Sequence, residues 1–177
     1  AHGKLYWSEV ASGAGSIKSS SVTTPAIENV LSGLGAIRGL DVDDASQTIF
    51  WAEDDVDGRI MRWRPGDSSP QTIATLLNYS YGHPQFGTVV LRATPNDIKF
   101  SEELGKVFWS NNITLNNPGI LERSNSDGSA REVLIRNLNT YDSRGEFSIA
   151  SASTGACGNS YNKSGFSGLS LFRPQTG

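Results

Sequence analysis

Apolar residues in this chain come in short runs, not in the three-and-four spacing of a helix stripe. Three of the runs share a form: "KLYWSE" at 4–9, "TIFWAE" at 48–53 and "KVFWSN" at 106–111. Around each tryptophan both strand parities are apolar. Leu5 and Trp7 flank Tyr6, Ile49 and Trp51 flank Phe50, and Val107 and Trp109 flank Phe108. A strand with one wet face alternates apolar and polar, whereas a strand covered on both faces reads as a continuous apolar run. Three short strands, each sandwiched between two layers, are therefore expected.

The neighbours of these runs repeat as well. Upstream, "GLDVDDASQTIFW" (39–51) aligns without a gap to "DIKFSEELGKVFW" (97–109), so Leu40 and Val42 match Ile98 and Phe100. Turn formers lie between the apolar segments, which predicts a hairpin in each case. Downstream, Ile17, Ile60 and Ile120 each follow a glycine. A fourth apolar segment closes each unit, at 27–31, 73–77 and 133–135.

Each unit is thus four short strands, and the units follow one another. The tryptophans recur from 7 to 51 and from 51 to 109, the longer interval holding an insertion around 78–93. Four strands in such a period is the signature of a β-propeller blade, whose sheet faces are both covered by neighbouring blades. The expected fold is all-β: one domain, a partial propeller of four-stranded antiparallel blades. The units fall at about 3–43, 44–101 and 102–149, with a degenerate remnant at 150–177. In that remnant region "GEFSIAS" offers a first strand and "SGLSLFRP" echoes "GRIMRWRP", with no tryptophan strand between them.

The three Trp motifs, the "GLDVD" segment before the second, and "GRIMRW" and "GILERSNSDGSAREVL" after the second and third resemble the Tyr-Trp-Thr-Asp (YWTD) repeat of low-density-lipoprotein receptor class B domains. The resemblance covers residues 3–138. The motif's Thr becomes Ser8, Ala52 and Ser110, and its Asp becomes Glu9, Glu53 and Asn111. The family builds six blades. By this resemblance the chain is a non-catalytic extracellular module for protein binding or assembly, part of a larger receptor, matrix or filament protein. A partial ring leaves blade faces open, and open apolar faces mark interaction surfaces, here for a protein partner or for self-association. The first residue is not Met and the chain opens on a second strand; both favour an excerpt of a longer protein.

Composition adds exclusions. Net charge is −3 with no basic run, so no footprint for nucleic acid is present. No apolar stretch is long enough to span a bilayer. The single cysteine, Cys157, has no internal partner and is a candidate for an intermolecular disulfide or a plain small residue. Two isolated histidines argue against zinc, and no Ser–His–Asp or Cys–His arrangement is readable.

In propellers the second-to-third connection and the connection into each first strand share one face. Those connections here are placed at 8–15, 33–39, 52–59, 93–98 and 110–119. Their carboxylates and amides, Glu53, Asp54, Asp55, Asp57, Asn96 and Asp97 with Asn111 and Asn112, form a candidate rim for a basic partner or a Ca²⁺ ion; solvated turn acids are the plainer reading. "PNDI" (95–98) also resembles a segment of gluconolactonase-like propellers, which implies an alternative function as a Ca²⁺-dependent hydrolase using Glu53, Asn96 and Asp97. Arg62 and Trp63 form a candidate contact patch, because Trp63 stands where the other units have Ser20 and Arg123. Asn78, Asn112 and Asn162 begin Asn-x-Ser/Thr sequons and are candidate glycosylation sites placed in loops.

Overall fold

A computed structural model describes residues 3–55, 57–76, 78–113, 117–138, 147–149 and 169–171. Three consecutive antiparallel sheets account for most of them. The first holds β1 (Lys4–Ala11), β2 (Ala14–Ser21) and β3 (Glu28–Leu34). The second holds β4 (Ile37–Asp43), β5 (Thr48–Glu53), β6 (Arg59–Trp63) and β7 (Gln71–Thr75). After a separate hairpin, β8 (Tyr79–His83) and β9 (Gly87–Leu91), the third holds β10 (Ala93–Ser101), β11 (Lys106–Ile113), β12 (Asn117–Asn125) and β13 (Glu132–Leu138). The insertion is thus a β-ribbon of its own. Two short strands, β14 (Phe147–Ile149) and β15 (Leu169–Leu171), complete the described elements.

The hairpin alignment read from the sequence is the observed register. Leu40 faces Trp51 and Val42 faces Ile49; Ile98 faces Trp109 and Phe100 faces Val107. The connecting turns match too, since Gln47 and Gly105 close them at φ 57 and φ 59. The third strands are offset from the sequence reading. Ile17 pairs with Ser8, Ile60 with Ala52, and Leu121 with Ser110. Leu121 therefore occupies the place assigned to Ile120, and it is fully buried where Ile120 is half-buried. A register shift between Asn111 and Ile113 moves the phase by one residue.

The sheets stack face to face. Trp51, Ile49 and Met61 turn toward the first sheet and pack with Tyr6, Ile17 and Leu31. Phe50, Ala52 and Ile60 turn toward the third and pack with Ile98, Val107 and Trp109. Phe50 stacks on Phe100 with ring centroids 5.1 Å apart. Trp51 and Trp109 are fully buried. The expectation that all three tryptophan strands are covered on both faces fails for β1. Trp7 is half-buried and Leu5 is 59% exposed, because no described sheet precedes the first one.

Close approach explains the glycine at the start of two of the third strands, Gly15 and Gly58. A Cβ on Gly15 would sit 2.1 Å from the Gly35 carbonyl oxygen. A Cβ on Gly58 would sit 2.8 Å from the Ala93 oxygen and from Pro95 Cδ. Carboxylates on first strands latch the next unit: Asp41 Oδ2 accepts the Phe100 N–H at 2.7 Å, and Asp97 Oδ2 accepts the Phe147 N–H at 3.3 Å.

The outer face of the third sheet, with Phe108 and Leu121, is covered by Phe147 and Ile149. β14 and β15 pair in parallel, which departs from the antiparallel blade. Cys157 and Asn162 lie outside the described residues.

Candidate functional site

The acids expected to form a rim have their charges matched from within the chain. Glu53 lies in β5, not in a loop, and is 2% exposed. Its Oε1 accepts the Trp51 indole N–H at 3.0 Å and the Gly35 N–H at 3.3 Å, and its Oε2 accepts Arg59 Nη2 at 2.8 Å. The same Arg59 nitrogen reaches Asp55 at 2.9 Å. Asp54 holds two arginines, Arg38 at 2.6 Å and Arg92 at 2.7 Å. Asp57 is exposed and accepts the Asn78 side-chain amide at 3.4 Å. The sequence reading missed Arg38, Arg59 and Arg92. Opposite charges brought together across loops carry no periodic signal.

Asn96 and Asp97 lie within β10, so 93–98 is a strand and not a connection. Asn96 sits at the register shift between Pro95 and Asp97. Asp97 is buried; besides the Phe147 N–H it accepts the Ile98 N–H at 2.8 Å and Lys99 Nζ at 3.2 Å. Its lone pairs are committed to the fold. The connection placed at 8–15 is also mostly strand, reduced to the turn at Ser12 and Gly13. Among the described residues no group of three or more His, Cys, Asp or Glu side chains is arranged to hold a metal ion.

Of the sequons, Asn78 precedes β8 and is exposed, its Oδ1 accepting the Ala93 N–H at 3.1 Å. Asn112 lies inside β11, not in a loop, paired with Thr94.

Arg62 and Trp63 face opposite ways. Arg62 turns to the third sheet, where its guanidinium donates to Gln71 Oε1 at 2.7 Å and to the Ser126 carbonyl at 3.2 Å. Trp63 turns to the first sheet and packs in the cluster of Trp51 and Tyr6. Its register partner is Ile49; the matching pairs are Leu5–Ser20 and Val107–Ser124. Its true counterparts are therefore Ser20 and Ser124, not Arg123, again by the one-residue shift in β12. Trp63 walls a cavity of about 240 Å³ between the first and second sheets, shared with Tyr6, Ser19, Glu28, Asn29 and Pro65.

No protein-family model matches the chain, and no curated protein sequence matches it. Among solved structures it is similar to one assigned as TolB, from Agrobacterium tumefaciens. The TM-score is 0.54 at 16% identity, over 75% of this chain and 45% of that one. Such a likeness concerns the fold. With the stacked three- and four-stranded sheets it decides the architecture. The chain folds as β-propeller blades. It spans less than half the length of that propeller, and its first three sheets are blades 1 to 3.

Proposed function

We propose that this chain is a non-catalytic binding or assembly module of an extracellular protein, with blades of the YWTD type found in low-density-lipoprotein receptor class B domains. One observation carries the reading: the uncovered face of blade 1. Trp51 and Trp109 point the same way from their strands, and each is buried under the preceding blade. Trp7 points that way and is only half-buried, and Leu5 beside it is exposed. An apolar sheet face of this kind is an interaction surface. The alternation of the fold specifies what fits it: a sheet face shaped like that of Tyr6 and Ile17.

The state of the acids supports a non-catalytic role. Glu53 and Asp97 hold indole, guanidinium, ammonium and backbone groups of the chain itself. Asn78, Asn112 and Asn162 are the sequons that an extracellular setting would use.

Light scattering on the purified chain, with electron microscopy of the particle, tests the reading. Assemblies larger than one 19.0 kDa chain, or rings with more blades than one chain holds, are expected. A compact monomer at all concentrations that captures no partner would overturn it. So would turnover of a lactone lost on chelation of calcium.

A further inference from the structure

Blade 1 is one strand short. In blade 2, β5 lies between β4 and β6, and in blade 3, β11 lies between β10 and β12. In blade 1, β1 has β2 on one side and, among the described residues, no strand on the other. Such an edge presents unpaired N–H and C=O groups and is a template for pairing with another chain.

The hairpin fixes which groups those are. Ser12 and Gly13 form its turn, at φ 51 and φ 82, so Ala11 and Ala14 close it. At its other end the Gly3 carbonyl accepts the Val22 N–H at 2.7 Å. Hydrogen-bonded and non-bonded pairs alternate along an antiparallel ladder. Leu5, Trp7 and Glu9 therefore bond to β2, and Lys4, Tyr6, Ser8 and Val10 turn their N–H and C=O groups to the open edge. The matching positions of the other blades are filled. Thr48, Phe50 and Ala52 face Asp43, Asp41 and Gly39 of β4. Lys106, Phe108 and Ser110 face Ser101, Lys99 and Asp97 of β10.

The same register states what a filling strand carries. Leu40 and Val42 stand beside Trp51 and Ile49, and Ile98 and Phe100 stand beside Trp109 and Val107. Apolar residues are thus called for beside Trp7 and Leu5. Each inner strand also carries an acid. Asp41 Oδ1 accepts the Val42 N–H at 2.9 Å while its Oδ2 reaches the next inner strand at Phe100, and Asp97 does the same with Ile98 and Phe147. No described strand of the chain is free to supply this pattern, since β4 and β10 sit in their own blades and β14 lies on blade 3. A second copy offers only its own β1, with Tyr6 between Leu5 and Trp7 where β4 has an acid.

We infer that the open edge of β1 accepts an extended segment of a separate polypeptide, antiparallel to β1, with apolar residues beside Leu5 and Trp7 and an acid between or just before them, facing blade 2. Main-chain hydrogen bonds supply the affinity of such strand addition, and alternate side chains supply its specificity. The site is the edge of the sheet and not its face, so it stands whether or not that face assembles.

The test is amide hydrogen exchange of the whole chain, read by NMR, with a synthetic peptide of residues 36–44 as the probe. Lys4, Tyr6 and Ser8 amides are expected to exchange freely in the chain alone and to slow as peptide binds, with a Kd of about 1 mM or tighter. Leu5, Trp7 and Glu9 amides should be slow throughout. Asp41→Pro in the peptide removes the N–H that meets Tyr6 and should raise Kd about tenfold. Ser8→Pro in the chain should do the same, because proline is tolerated on an edge strand; if it fails to fold, the peptide variant decides. The inference is overturned if Lys4, Tyr6 and Ser8 stay unprotected up to about 10 mM peptide, or if the proline peptide or a scrambled one binds as tightly. Protection of these amides that grows with chain concentration in the absence of peptide also overturns it, and assigns the edge to a second copy.

Discussion

Each tryptophan of the repeat ends on a carboxylate, and each carboxylate on a cation. Trp7 donates to Glu9 and Lys18 holds it; Trp51 donates to Glu53 and Arg59 holds it; Trp109 donates to Glu122 and Arg131 holds it. In the third case Asn111 stands two after the tryptophan and donates to Glu122, which comes from the opposite strand. Burial separates the three in energy. Glu53 is 2% exposed, and removing one partner of a buried, hydrogen-bonded pair costs about 3 kcal/mol. Glu53→Ala should lower the unfolding free energy measured by urea titration by that amount, whereas Glu9→Ala should leave it nearly unchanged; equal effects would refute the distinction. The exposed pair answers to pH. Hydrogen bonds from Lys18 and then Trp7 hold the Glu9 carboxyl below its ordinary 4.5, and the hydrogen bond from Lys4 does the same for Glu28. Their contribution is complete above 4.5 and is lost as pH falls through the lower folded values. The bond to Glu28 raises Lys4 above 10.5, so that side of the pair is complete below 10.5 and lost only above its raised value. The Trp7 indole N–H resonance should therefore titrate with a midpoint below 4.5, and Glu9→Gln should abolish the titration.

At the scale of elements, the sequence revealed what period and length encode. The Trp strands and their hairpin partners were legible because both parities are apolar and the turns match in length. The phase of β12 was not, because a register shift adds a residue that alternation cannot count. Hence Ile120 was read where Leu121 packs. Leu121→Ala should cost about 2–4 kcal/mol by denaturant unfolding, and Ile120→Ala clearly less; the reverse order would refute the observed register. The acids at 53–57 were legible from the sequence as a cluster, although Glu53 belongs to β5 and Asp97 to β10. Their neutralisation was not, because Arg38 and Arg92 reach Asp54 from elements far apart in sequence. Of the cavity beside Trp63 the sequence showed only a tryptophan without a counterpart. The glycine at 15 was noted as a repeat mark, and its reason is packing. Gly15→Ala would drive a methyl into the Gly35 carbonyl oxygen, backbone that cannot rotate away. A loss of about 1–3 kcal/mol is expected, as for overpacked cores, and unchanged stability would refute the close approach.

At the scale of the molecule, every covered tryptophan is covered by a neighbour of the same build, so the ends decide behaviour. Blade 3 meets Phe147 and Ile149 on its outer face. Blade 1 shows Leu5 and Trp7 to solvent. Leu5 is 59% exposed, so a charge placed there costs the single chain little, within about 0.5 kcal/mol. The same charge pressed into an apolar sheet interface without a partner would be expensive. Association and folding can therefore be separated at one position. Leu5→Lys should leave the unfolding midpoint of the isolated chain in place and return the assembled particle to single chains. Leu5→Ile should keep both. Light scattering with denaturant unfolding on the two variants decides. If Leu5→Lys assembles like the parent, blade 1 does not meet its partner through the tryptophan face, and the proposed role of that face falls.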